Sequence, residues 1–199
     1  MEKQSYHHGD LKTELISAGL KLLAEEGYAG FSLRKVAKAC GVSQTAPYRH
    51  FEDKDALVAA IMAQAMTAFN DNLEAAVKKH PDDPRSQIKE MGVAYIHFFA
   101  DNPEYLRLMF MSDVKLAGDE ILCEKKGHLC AGHPFTTLFG TARAYCTAYP
   151  DSGWGEKDLT VFCWGLVHGI SVLLARGELP FAGDMEQMIG SIMWNEHFL

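Results

Sequence analysis

Between Gly27 and Phe51 the chain runs for 25 residues, GYAGFSLRKVAKACGVSQTAPYRHF, without an Asp or Glu, while it carries Arg34, Lys35, Lys38 and Arg49. The punctuation of this run leaves few conformations open. Ser32 is a helix N-cap residue, the apolar positions Leu33, Val36, Ala37 and Cys40 fall on one face of a short helix, and Gly41 supplies its terminator. Val42 then anchors a turn. Ser43 is placed to cap a second short helix, Gln44 to His50, that buries Tyr48 and Phe51 and leaves Gln44, Thr45, Arg49 and His50 available. Pro47 falls in the first turn of that helix, where its fixed φ is tolerated and one early hydrogen bond is lost, so the helix is expected to be short and irregular. Two short helices joined by a glycine turn make a helix-turn-helix unit.

The charge distribution says where such a unit acts. The net charge of −7 argues against a general polyanion binder, yet residues 1–66 hold 8 Lys+Arg against 8 Asp+Glu, and the remaining 133 residues hold 11 against 18. All of the negative excess therefore lies outside the first third. A locally basic, globally acidic chain fits a double-stranded DNA contact confined to one end, with the acidic remainder discouraging non-specific wrapping.

The rest of the chain reads as helices. Asp10 is a cap for a first helix with Leu11, Leu15, Ala18, Gly19, Leu22 and Leu23 on one side and Gly27 at its end. Asp53 caps a long connecting helix through Leu57, Ala60, Ile61, Ala65, Ala68 and Phe69 that stops before Pro81. Further helices are expected at about 85–100, 104–112, 134–148, 156–176 and 183–197, with a glycine-rich irregular stretch at 113–133. Period-2 strand patterning is missing. At 48% hydrophobic and 23% charged, 199 residues suffice for a small domain and a larger one. The expectation is an all-α chain, with a three-helix head at residues 5–66 and a helical effector-binding and dimerisation domain at 67–199. Five cysteines, without disulfide-scaffold spacing, fit a reducing, cytoplasmic compartment. Neither an early apolar signal region nor a run of eighteen apolar residues is seen, so no membrane partner is expected.

Three stretches together, Tyr6-His7-His8-Gly9-Asp10-Leu11, Phe31 through Ser43, and Tyr48-Arg49-His50-Phe51 with Lys54, resemble the TetR family of bacterial regulators. Trp164-Gly-Leu-Val-His168-Gly169 is similar to the Trp-His-Gly signature of one C-terminal domain type in that family. The resemblance implies a homodimer, a three-helix DNA-binding head, a ligand-accommodating body, and repression of transcription released by a small molecule. It also aligns Gln44, Thr45, Ala46, Tyr48 and His50 with DNA-contacting positions, Tyr48 and His50 mostly on phosphates.

The residues support the DNA half of this independently. Gln44 suits adenine, Arg49 suits guanine, and the Thr45 methyl suits thymine. Arg34 and Lys54 sit near helix N-termini flanking the reader, where a cation and open N–H groups favour phosphate. The candidate DNA-binding set is Ser32, Arg34, Ser43, Gln44, Thr45, Ala46, Tyr48, Arg49, His50 and Lys54. Tyr48 has a packing alternative, and Lys35 and Lys38 are equally well explained as solvated surface.

In the body, Leu159, Phe162, Cys163, Leu166, Val167, Ile170, Leu173 and Leu174 make a full helical stripe, and Met185, Met188, Ile189 and Ile192 repeat it, which suggests a dimer interface. For an unidentified small-molecule effector the candidates are Tyr95, Phe98, Phe99, Phe110, Phe139, Trp164 and His168, with Phe135 and Met109 nearby in pattern. Such aromatic stripes also build plain cores. A rival class rests on Cys123, His128, Cys130 and His133, four metal-type ligands within eleven residues but without zinc-module spacing, which point to a metal- or redox-responsive regulator. An enzyme is not expected. The chain has no phosphate loop, nucleophile elbow or H-E-x-x-H motif, and no cofactor is called for.

Overall fold

Glycine and proline positions decide where the helices start and stop. The computed structural model describes residues 8–110, 134–179, 184–195 and 199, residues 8–10 by backbone alone. The elements among them are helical throughout: α1 (His8–Gly30), α2 (Leu33–Ala39), a 3-10 turn (Pro47–Arg49), α3 (Lys54–Lys78), α4 (Pro84–Asp101), α5 (Pro103–Phe110), α6 (Pro134–Ala148), a second 3-10 turn (Pro150–Ser152), α7 (Glu156–Arg176) and α8 (Met185–Met193). The chain is all-α, as its periodicity implies. It divides between Ala65 and Met66 into two units, with α5 from Arg107 grouped with the first.

In the first unit, α1 begins at His8, so Asp10 lies within its first turn instead of capping it. Regular helical geometry is interrupted at Gly27, whose φ of 67° and ψ of 175° turn the chain out of the helix. Leu11, Leu15, Leu20 and Leu23 of α1 are buried with Phe31, Val36, Ala37, Leu57 and Ile61. Gly19 permits the close approach, since a Cβ there would lie 2.9 Å from Ile61 Cδ1. Burying four such leucines contributes roughly 1.5–3 kcal/mol each. α2 is capped as expected: the Ser32 hydroxyl oxygen accepts from Lys35 N at 3.3 Å. Its far end closes on left-handed Gly41 (φ 66°), with Val42 N–H bonded to Ala37 O at 3.0 Å and Gly41 N–H to Lys38 O at 3.1 Å. These two bonds satisfy carbonyls the helix leaves open and set the direction of the chain into residues 43–51. Asp53 caps α3, its carboxylate accepting from Ala56 N at 2.8 Å.

In the second unit α4 is the central element, packed against α6, α7 and α8, while α6 also meets α7. Asp83 caps α4 through Arg85 N, Ser86 N and the Ser86 hydroxyl, bonds that hold its carboxyl below the usual range. Gly92 lies directly under Met193: a Cβ there would stand 2.0 Å from the Met193 Cε. Ile88, Ala142, Tyr145, Leu159 and Cys163 form a core where α4, α6 and α7 meet. By length and composition α7 is apolar enough to cross a membrane, and little of it is buried. Val161 is 62% exposed, and Phe162 and Leu173 are exposed too. One side of α7 is therefore an open apolar face.

Gly41→Ala would force a Cβ into the left-handed region, and it is expected to destabilise the chain by about 1 kcal/mol. Thermal unfolding followed by circular dichroism, compared with Ala39→Gly as a control of similar size change, checks this.

Candidate functional site

The segment that follows Gly41 differs from the expected second α-helix, and the reason is Pro47. A helix capped by Ser43 would place its first bond between the Ser43 carbonyl and the amide of residue 47, which proline lacks. The Ser43 carbonyl takes Ala46 N–H instead, at 2.9 Å, and the chain continues with Arg49 N–H on Ala46 O at 3.2 Å and His50 N–H on Pro47 O at 2.9 Å. The result is a turn over residues 44–46 followed by the 3-10 turn Pro47–Arg49. Pro47, not Tyr48, supplies the buried side chain beside Phe51, and Tyr48 is 52% exposed.

That geometry presents a row of polar side chains. Ser43, Gln44, Thr45, Tyr48 and Arg49 are exposed, and Ala46 and His50 are half-buried. Ser43 and Thr45 hydroxyls lie 3.2 Å apart and share a hydrogen bond, which orients the Thr45 side chain. His50 meets the Phe51 ring edge at 6.4 Å between centroids. Arg34 and Lys38 are exposed on α2, whereas the Lys35 ammonium is paired with the Glu26 carboxylate and also donates to Gly30 O at 2.8 Å. Lys54 is likewise tied down, donating to Tyr28 O at 2.5 Å. Ser32 uses its hydroxyl as the α2 cap. Arg34, Lys38 and Arg49 are thus the exposed cations of this segment and α2 that are tied to no other group among the described residues.

In the second unit Tyr95, Trp164 and His168 come together. The Tyr95 hydroxyl and His168 Nδ1 lie 2.9 Å apart, and the Trp164 and His168 rings are 5.8 Å apart. Phe135 packs edge-on against Trp164 at 4.9 Å. Tyr95 also meets Phe69 at 5.1 Å and Phe99 at 4.9 Å, and Phe69 joins Phe98 at 5.2 Å. Burial pushes the Tyr95 phenol well above its usual range, against a smaller opposing pull from Trp164, and burial lowers the His168 pKa. Both groups are therefore neutral near pH 7 and share one hydrogen bond in either imidazole tautomer. Phe139 stands apart from this group under the Arg143 guanidinium at 5.1 Å, and Phe110 belongs to the first unit.

Residues 15–61 match the family model described as bacterial regulatory proteins, tetR family, and residues 88–193 match the model described as tetracyclin repressor-like, C-terminal domain. This chain belongs to the TetR family. The second TetR match takes in Trp164–Gly169, and its description names a tetracycline-repressor-like domain, not the Trp-His-Gly type. A curated relative, the uncharacterized HTH-type transcriptional regulator YerO of Bacillus subtilis strain 168, is 25% identical over 193 residues, 92% of this chain and 62% of its own length. A protein of unknown function from Rhodococcus sp. RHA1 matches with a TM-score of 0.69 at 27% identity, covering 96% of this chain and 95% of that one. The regulator FadR from Bacillus subtilis, solved in complex with stearoyl-CoA, has the same fold at a TM-score of 0.71, 15% identity, and coverage of 92% and 95%. The YerO and FadR matches to this TetR-family chain are named as transcriptional regulators, not enzymes.

Sequence reasoning about this TetR-family body named Phe69 only as an apolar position of the connecting helix, and missed Asn70 and Thr137. Asn70 is buried on α3, donating to Glu74 at 2.9 Å and accepting from the Thr137 hydroxyl at 3.2 Å. Cys123, His128, Cys130 and His133 lie outside the described residues, and among those described no three metal-type ligands converge. The described cysteines are not poised for redox chemistry: burial raises the thiols of Cys40 and Cys146 and pushes Cys163 up to about 12, away from the reactive thiolate.

A histidine whose folded pKa lies below its unfolded value of about 6.5 costs stability only on the acid side. Stability contributed by neutral His168 is present above pH 6.5 and is lost as pH falls through that value towards the folded pKa. His168→Gln is expected to flatten the acid limb of a melting-temperature profile between about pH 7 and 5.

Proposed function

We propose that the chain is a dimeric repressor whose head reads an operator in double-stranded DNA and whose body binds a small apolar effector that releases it. The observation that carries this reading is the exposed row Gln44, Thr45, Tyr48 and Arg49, standing on a segment fixed by helix caps and by buried Pro47 and Phe51. Gln44, Tyr48 and Arg49 make no side-chain hydrogen bond among the described residues, so their donors and acceptors are open to base edges and phosphates. Residues 5–66 serve DNA and residues 67–199 serve effector binding and dimerisation.

The open face of α7 supports a second copy as partner. Val161, Phe162 and Leu173 are exposed beside Gly165 and Gly169, at neither of which would an added Cβ meet an atom within 4 Å. An apolar helix face with small residues suits close packing against its own symmetry mate, and a two-fold dimer places two readers about 34–36 Å apart on successive major grooves. For the effector, Tyr95, Trp164 and His168 with Phe98 and Phe99 supply an apolar wall with a few neutral polar atoms. The FadR relative crystallised with stearoyl-CoA supports an apolar ligand in a body of this fold. Effector binding then favours a body conformation in which head spacing no longer matches the operator, and affinity falls.

Selection of bound sequences from a random duplex library, sequenced at several salt concentrations, tests the reading. A two-fold symmetric site with half-sites about one turn apart is expected; retention without sequence preference overturns it. On the selected duplex, Gln44→Ala or Tyr48→Ala should weaken binding roughly tenfold or more while sedimentation still reports a dimer. Val161→Glu combined with Leu173→Glu should yield monomers that lose the selected site.

A further inference from the structure

Lys54 opens α3 four residues after His50, and its side chain is held from two directions. The ammonium donates to the Tyr28 carbonyl at 2.5 Å and stands 3.7 Å from the centroid of the Tyr28 ring. Tyr28 is itself fixed, because its hydroxyl donates to the Asp55 carboxylate and its carbonyl also takes Phe31 N–H at 3.3 Å. The bond to Asp55 keeps the phenol protonated, above its usual range. Tyr28 follows the break at Gly27 and lies in the last turn before α1 ends at Gly30, so its carbonyl has no i+4 amide within the helix and is open to the ammonium.

The arrangement leaves Lys54 a cation with capacity to spare. An ammonium carries three N–H donors, and among the described residues Lys54 has one hydrogen-bond acceptor, the Tyr28 carbonyl, plus one ring face. The flanking carboxylates are turned elsewhere: Asp53 onto Ala56 N–H and Asp55 onto the Tyr28 hydroxyl. Lys35, at the same end of α1, provides the contrast, since the Glu26 carboxylate neutralises it. A lysine that must reach a phosphate from an unrestrained state loses rotamer freedom on binding, whereas one already held loses little.

We infer that Tyr28 is a positioning residue for DNA binding: its ring and carbonyl hold the Lys54 ammonium at the amino end of α3, preset to meet a backbone phosphate without leaving Tyr28. The inference rests on the head being the DNA-binding surface.

The test uses the full-length protein and a fluorescent mixed-sequence duplex of about 30 base pairs, with affinity measured across a salt series. Lys54→Met is expected to lower the slope of log affinity against log salt by about one per head engaged. Tyr28→Ala should weaken binding about 3- to 10-fold with the slope unchanged, and Tyr28→Phe, which keeps the ring and carbonyl, should retain most of the affinity. In a Lys54→Met background, Tyr28→Ala should cost nothing further. An unchanged slope in Lys54→Met, or an equal loss from Tyr28→Ala in both backgrounds, overturns the assignment. No salt-dependent binding by the unsubstituted chain would instead remove the DNA-binding reading on which it rests.

Discussion

The hydrogen bond from the Val42 amide to the Ala37 carbonyl is possible only because Gly41 turns left-handed, and the rest of the head depends on it. It ends α2 at the residue where its buried face, Leu33, Val36 and Ala37, is complete. It also points the chain so that Pro47 and Phe51 drop into the same core. Gln44, Tyr48 and Arg49 then stand over that base on a backbone fixed by its own hydrogen bonds and by buried Pro47. Their side chains are spared any structural duty, which is the condition for using them on a partner.

The body depends on a different constraint, the closeness of α4 to its neighbours. Gly92 leaves the space that the end of the Met193 side chain fills, and Lys89, largely buried, donates to Asn195 O at 3.3 Å to fasten the end of α8. With α4 fixed, Tyr95 is committed to a place among Phe69, Phe99 and His168. Two neutral polar groups that satisfy one another can be buried at little cost, whereas either alone would carry a desolvation penalty of about 1–3 kcal/mol. The pair is thus stable as it stands and still offers polar atoms within an apolar setting.

Much of this was legible in the chain because caps and terminators are local chemistry. Ser32, Asp53, Gly27 and Gly41 each act within four residues of their own position, so their roles can be read without knowing what packs on them. Pro47 shows where local reading stops. Its tolerated φ was evident, but the hydrogen bond it withholds belongs to Ser43, and losing that one bond converts a helix into a turn and a 3-10 segment and brings Tyr48 to the surface. The role of Tyr28 was invisible for another reason: its partners Lys54 and Asp55 are more than twenty residues away, and no periodicity encodes that meeting. In the body, pattern could group Tyr95 with Trp164 and His168 as apolar-face residues, yet it also swept in Phe139, which lies under Arg143, and overlooked Asn70, whose polar side chain is paid for by Thr137 and Glu74.

The 3-10 reader has a consequence for how such a chain changes over time. Gln44, Thr45 and Arg49 are exposed, and they contribute nothing to the buried base formed by Pro47, Phe51 and α2. Substitutions at these positions are therefore nearly silent for folding, and under the proposed function they change which base edges are met. Duplicated copies can drift to new operators one residue at a time, each intermediate remaining a folded protein, so the vocabulary of the family can diversify without the scaffold having to be reinvented.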